Sequence, residues 1–160
     1  MEKGSIQVYY GKGQGKSAAA LGNAIRFAAE GRTTTIIQFL KSETNTLEYL
    51  CKLEPEIKLF RFERSEEDFM NLPQEQKQEE ILNIQNGLNY AKKVLGTGES
   101  DLVILDEILG VLDEGIVSEQ DILSALEGRS ISTNVIMTGL TITQGIIEIA
   151  DSVLNVKPEK

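Results

Sequence analysis

The sequence predicts an α/β domain in which helices flank a mainly parallel sheet on both faces. Short apolar, β-branched runs alternate along the chain with segments of helical period, the pattern of βαβ units. A glycine-rich loop, Gly11 to Ser17, separates the first such run from the first helical segment. A later run, Leu102 to Leu105, ends on the paired acids Asp106 and Glu107. At 160 residues and 41% hydrophobic composition, residues 1–160 read as one domain with one core.

Each element has its own local reason. Ser5 to Tyr10 reads as a strand, followed by the glycine loop and a helix from about Lys16 to Glu30, stopped by Gly31. Thr33 to Phe39 is β-branched and apolar, a buried strand. Ile57 to Phe62 alternates apolar with basic residues, which suits a strand nearer an edge, with Ile57, Leu59 and Phe60 as inward candidates. Pro73 is expected at the first helical position of a long helix to about Leu95, with Ile81, Ile84, Leu88, Ala91 and Leu95 on one stripe. The polar stretch before it, Ser65 to Glu80, reads as a solvated helix entry. After the Leu102 strand, Ser118 and Asp121 have capping-box spacing and open a helix to Leu126. Asn134 to Thr138 is a buried strand, Thr143 to Ala150 a helix, and Ser152 to Val156 a last strand.

Composition excludes several chemistries. With no histidine, the chain cannot run Ser-His-Asp or Cys-His catalysis or ligate zinc through imidazole. The work must fall to carboxylates, lysine, hydroxyls, backbone amides and bound cations. A net charge of −9 argues against a nucleic-acid partner. The single cysteine, Cys51, cannot form an internal bridge and is expected to be a small packing residue. Met1 to Gly4 runs straight into a strand-like segment and no apolar run is long enough to span a bilayer. A cytoplasmic protein with no membrane partner is the expectation.

The loop Gly11-Lys12-Gly13-Gln14-Gly15-Lys16-Ser17 sits where a phosphate cradle must sit, between a strand and a helix N-terminus. Its glycines let the backbone wrap an anion with amides inward, and the amides at the helix start, through Ala18, extend the set. Lys16 adds a full positive charge, and the Ser17 hydroxyl is placed to hold Mg²⁺. The cradle is one residue shorter than the usual spacing, because the position that would carry the first glycine is Tyr10. Asp106 and Glu107, delivered by a buried strand, supply the carboxylates that complete a Mg²⁺ site. Val135 to Leu140 and Gln38 to Lys41 are weak signals alone, the first best read as a structural turn, but both end strands on the edge where open α/β sheets bind ligands. Arg26, on the first helix, is either a nucleotide contact or a solvated, salt-bridged arginine.

Together these residues resemble the bacterial ATP:corrinoid adenosyltransferases of the cob(I)alamin or cob(I)yrinic acid a,c-diamide type. The cradle is similar to that family's Gly-Asn-Gly-Lys-Gly-Lys-Thr. Ile37-Gln38-Phe39-Leu40-Lys41 resembles its VQFIKG, Leu105-Asp106-Glu107 its LLDE, Ile136-Met137-Thr138-Gly139 its IITG, and Ile147 to Val153 its ELADTV. Lys12 stands where the family commonly has Asn, and Leu140 where it usually has Arg. The resemblance implies a three-layer P-loop NTPase-like (RecA-like) fold. It implies ATP and a corrinoid as substrates with Mg²⁺, a homodimer, and a flavoprotein or flavodoxin-type reductant. Co(I) would attack the 5′ carbon of ATP and expel triphosphate, with Lys16 and Glu107 as catalytic residues. Gly11 to Ala18, Arg26, Gln38 and Lys41 would contact the nucleotide, and Ser17, Asp106 and Glu107 the Mg²⁺. Phe60, Phe62 and Phe69 are candidates for the flat macrocycle or for core packing.

Overall fold

Which face of the sheet each helix covers follows from the direction in which the chain crosses it. The computed structural model describes residues 2–40, 50–62 and 67–160. Among these, six strands form one parallel sheet: β1 (Ile6–Tyr10), β2 (Thr34–Gln38), β3 (Ile57–Arg61), β4 (Leu102–Asp106), β5 (Asn134–Gly139) and β6 (Ser152–Asn155), in spatial order β3-β2-β4-β5-β1-β6. The step from β1 to β2 runs one way across this order. Those from β3 to β4, β4 to β5 and β5 to β6 run the other way. Because parallel crossovers are right-handed, the two directions place their helices on opposite faces. Helix α1 (Lys16–Ala29) therefore lies on one face, and α2 (Gln74–Thr97), α3 (Ile108–Asp113), α4 (Glu119–Glu127) and α5 (Gln144–Ile149) lie on the other.

The two cores match this division. Ala20, Ala24 and Phe27, spaced four and three apart on α1, pack on Tyr9, Ile36, Leu102, Ile104 and Ile136. On the opposite face Ile84, Leu88, Ala91 and Leu95 of α2 join Val8, Ile37, Val103, Leu105, Val135 and Met137. Alternate residues of each strand thus feed alternate cores, and the central strands β2 and β4 are buried along their whole length.

Several boundaries shift for local reasons. Pro73 precedes the first helical residue rather than occupying it, with an extended ψ of 153°, and α2 runs to Thr97 before Gly98 turns left-handed at φ 67°. The polar entry is not solvated throughout: Glu80 is 5% exposed, and a short 3-10 turn, Phe69–Asn71, precedes the helix. Residues 65 and 66 of that stretch lie outside the described residues. Cys51, expected to be a packing residue, is exposed. Helix α3 is absent from the sequence reading because six residues are too few to show a helical period. The capping box does form: Ser118 Oγ accepts from the Asp121 N–H at 3.1 Å, and the Asp121 carboxylate accepts from the Ser118 N–H. Replacing that cap, Ser118→Ala, should lower stability by about 1 kcal/mol. Urea denaturation reads this as a lower midpoint with unchanged slope, and coincident midpoints would show that the cap contributes nothing.

Candidate active site

Among the described residues, all of the assigned groups except Arg26 gather along the carboxyl edge of the sheet. The connections leaving β1 and β4 depart to opposite faces, which opens a crevice at that edge. After Tyr10 the chain turns through Gly11 (φ 120°) and reaches Gly15 (φ 98°), the residue that caps α1. Glycine is required at 11 and 13 by a close neighbour. A Cβ on Gly11 would lie 2.4 Å from Asn155 Oδ1, and one on Gly13 2.7 Å from Val156 Cγ1. The end of β6 thus forms the outer wall of the loop.

That wall changes which amides are free. The sequence suggests that the glycine amides point at the anion. Instead the Gly13 N–H donates to the Val156 carbonyl at 2.8 Å, and the Gly11 N–H is shared between the Gly139 and Leu140 carbonyls at 3.2 and 3.1 Å. Gly11 and Gly13 shape the cradle rather than donate into it. Among the donors left are those of the first helical turn, Lys16, Ser17 and Ala18, which have no intrahelical acceptor. Lys12, Gln14 and Gly15 are exposed on the rim. Lys16 folds back across the loop, and its Nζ donates to the Gly11 carbonyl at 2.6 Å and the Gly13 carbonyl at 2.8 Å. The result is a ring of backbone with an ammonium inside it, set on a helix N-terminus.

One hydrogen bond joins this ring to the acids of β4. Ser17 Oγ donates to Asp106 Oδ1 at 2.7 Å, and the same oxygen accepts from Thr138 Oγ1 at 2.8 Å. Asp106 is 4% exposed, so these bonds replace the water an ionised carboxylate would otherwise hold. Glu107 follows in the left-handed region at φ 60°, with its N–H donated to Thr138 Oγ1 at 2.9 Å. Burial, and then the adjacent Asp106 charge, push the Glu107 carboxyl above the usual glutamate range, against the opposing pull of the Lys16 ammonium. From the sequence alone Thr138 belongs to a structural turn. Its signal, a polar residue closing an otherwise apolar strand, is too common to stand out.

Gln38 lies beside Asp106 in register, and the backbone on either side is paired: Phe39 N–H to the Asp106 carbonyl at 3.0 Å, and Phe62 N–H to the Gln38 carbonyl at 3.2 Å. Its side chain is not. Only 1% of the residue is exposed, and among the described residues neither the amide oxygen nor the amide nitrogen has a hydrogen-bond partner. Orphaned buried polar atoms cost about 1–3 kcal/mol each. Lys41 lies outside the described residues. Arg26 is not brought to the cradle: ten residues beyond Lys16 on a helix rising about 1.5 Å per residue, it sits roughly 15 Å away along the axis. There it is exposed, bonds Asn23 Oδ1 at 3.1 Å and pairs with Glu30 at 3.8 Å. Phe60 and Phe62 pack on Tyr90 with ring centroids 4.8 and 5.9 Å apart, and Phe69 packs against the core on the α2 face. Leu140 is half exposed as the chain leaves β5.

A glycine loop closed by lysine on a helix N-terminus, joined through a serine hydroxyl to a strand-end aspartate, defines a P-loop nucleotide-binding protein. Two solved structures share the fold. FlaH, a flagellar accessory protein from Methanocaldococcus jannaschii, superposes with a TM-score of 0.63 at 14% identity over 97% of this chain and 72% of its own. The KaiC-like protein PH0186 from Pyrococcus horikoshii gives 0.62 at 18% identity over 100% of this chain and 76% of its own. The sequence narrows the class further. Residues 2–160 match the family described as ATP:corrinoid adenosyltransferase BtuR/CobO/CobP, and the chain belongs to that family. The corrinoid adenosyltransferase of Escherichia coli K12 is 28% identical over 159 residues, covering 99% of this chain and 79% of that protein. Corrinoid adenosyltransferase CobA of Salmonella typhimurium is 28% identical over 165 residues with the same coverage.

Two expectations follow from the buried polar groups. Gln38→Leu removes an amide that the fold leaves unpaired, so the variant should be more stable than the wild type by about 1–3 kcal/mol while binding substrate less well. Thermal unfolding and ATP titration check the pair, and a loss of stability would show that the amide is satisfied. For Glu107 the folded pKa lies above the unfolded one, so the folded state holds the extra proton between them. The associated stability is present below the unfolded pKa and is lost as pH rises through the folded pKa. Glu107→Gln cannot titrate. Its stability relative to wild type should rise as pH is raised through and above the ordinary glutamate range, while turnover falls. Parallel stability profiles for the two proteins would contradict this.

Proposed function

We propose that this chain transfers the 5′-deoxyadenosyl group of ATP to Co(I) of a corrinoid and releases triphosphate. The observation that supports the reading is the Ser17–Asp106 hydrogen bond, which joins the glycine loop and its lysine to the acids at the end of β4. In the step, the electron pair of Co(I) forms the cobalt–carbon bond at C5′. The C5′–O bond breaks, its electrons leave with the triphosphate, and cobalt is formally oxidised from Co(I) to Co(III). No proton has to move at the reacting carbon, so the absence of histidine is no obstacle.

The demand on the protein is to hold a leaving group that gathers negative charge. The free amides of Lys16, Ser17 and Ala18 and the Lys16 ammonium meet it with fixed dipoles that need no reorganisation. Lys16 exchanges its two carbonyl bonds for phosphate oxygens, a short movement within the same ring. Oxygen donors fit Mg²⁺, and among the described residues no cluster of three or more acids, cysteines or histidines forms a closed protein cage, as suits an ion shared with phosphate and water. Ser17 donates a hydrogen bond to Asp106 and keeps lone pairs that would face the ion, Asp106 orients that hydroxyl, and Glu107 would supply a carboxylate. Mg²⁺ bound there would neutralise charge on the polyphosphate. Gln38, unpaired at the same edge, is assigned to the substrate. The reading extends, through the family resemblance, to one domain over residues 1–160, a cytoplasmic homodimer, and a flavoprotein or flavodoxin-type reductant. No described helix is long and apolar enough to cross a membrane.

The test is incubation with ATP, Mg²⁺ and chemically reduced corrinoid. Adenosylated corrinoid and triphosphate in equal amounts are expected, whereas ADP with phosphate would make the chain a hydrolase or kinase and overturn the assignment. Lys16→Ala should weaken ATP binding by roughly 10–100-fold, the loss of a hydrogen bond to a charged group. Calorimetric titration measures it, and equal affinities for variant and wild type would remove Lys16 from the site.

A further inference from the structure

We propose that Thr138 is a positioning residue for the reaction: its hydroxyl sets the conformation of Glu107 and the orientation of Asp106 together. The inference rests on the adenosyl-transfer reading for its kinetic consequence, but its structural content stands alone. Thr138 is fully buried, at 0% exposure, and its side chain meets two groups of the site at once. The polarity of those contacts is fixed by chemistry. A hydroxyl has one proton, the Asp106 carboxylate can only accept, and the Glu107 N–H can only donate. The proton therefore goes to Asp106 Oδ1 at 2.8 Å, and a lone pair receives the Glu107 N–H at 2.9 Å.

Each contact settles something that would otherwise drift. Among the described residues, Glu107 is the one non-glycine with a positive φ, a backbone state a glutamate does not hold unaided. The bond to Thr138 holds that peptide. It fixes where the carboxylate leaves the chain at the start of α3. At Asp106, Thr138 fills one acceptor site of Oδ1, so that Ser17 Oγ at 2.7 Å takes the remaining direction and turns toward the cradle. The next residues extend the same coupling. The Gly139 and Leu140 carbonyls accept the Gly11 N–H, and a Cβ on Gly139 would lie 2.3 Å from Leu109 Cβ, so the end of β5 is pressed between the cradle and α3.

A threonine that merely fills a buried strand would be replaceable by valine of the same shape. Thr138→Val and Thr138→Ser separate the two roles, because the first keeps the volume and the second keeps the hydroxyl. Thr138→Val should lower kcat by about 10–100-fold with KM for ATP changed by less than about threefold, as for outer-shell partners generally. Thr138→Ser should stay within about threefold of wild type on the same scale. Independently of any turnover, hydrogen exchange at the Glu107 amide should accelerate about tenfold or more in Thr138→Val and not in Thr138→Ser. Should the valine variant fail to fold, Thr138→Ala takes its place in both measurements. Wild-type kcat in Thr138→Val overturns the proposal, as does unchanged Glu107 exchange in that variant. If the wild-type chain makes no adenosylated corrinoid, the functional reading fails, while the exchange contrast still decides whether Thr138 holds Glu107.

Discussion

Asp106 Oδ1 accepts two hydroxyl protons, one from the first turn of α1 and one from the end of β5, and the rest of the site is arranged around that atom. The carboxylate is nearly dry, so it cannot exchange these partners for water without losing most of its solvation. It therefore acts as a joint. The glycine loop is a property of β1 and α1, and the acids stand at the end of β4. With β5 between those strands, nothing in the backbone ladders alone would hold Ser17 to Asp106. The side-chain bond does so across the crevice.

The sheet order explains why this joint is affordable for so small a chain. Chain reversal between β1 and β4 puts the two departing connections on opposite faces, and the crevice between them needs no insertion to form. Its floor is apolar and buried on both sides, so the polar groups concentrate at the strand ends. Electrostatics follow from the same geometry. A chain of net charge −9 draws local positive potential from one ammonium and a helix terminus, held on a loop in which the Gly11 and Gly13 amides are already paired. Strain and mismatch gather here too, in the left-handed backbone of Glu107 and the unpaired amide of Gln38. Such departures from local comfort are what a site shaped for a ligand rather than for stability displays.

Much of this was legible in the letters, and the rest was hidden for physical reasons. Strand and helix order came through because apolar runs and helical periods are long-range patterns that tertiary packing does not erase. The cradle and Asp106-Glu107 were visible because each combines an unusual composition with a defined place in the βα alternation. Thr138 was not, since the value of a single hydroxyl depends on what two other strands bring to it. The pairing of the Gly11 and Gly13 amides was likewise invisible, because their partners, Gly139, Leu140 and Val156, lie at the far end of the chain. Arg26 could be placed on α1 from sequence, and ten residues of helical rise already put it about 15 Å from Lys16, so its remoteness from the cradle was legible there too. Cys51 was misread because burial of cysteine is a statistical habit and not a rule for one position.

The central claim is that Ser17 and Asp106 act on bound nucleotide as one unit. A double-mutant cycle with Ser17→Ala, Asp106→Asn and the combined variant, read as the affinity for Mg²⁺-ATP by calorimetry, measures it directly. The account predicts strong non-additivity, a coupling of about 1–3 kcal/mol, with the double variant little worse than either single one. Strictly additive losses would contradict it, since they would mean that the two side chains meet the ligand independently.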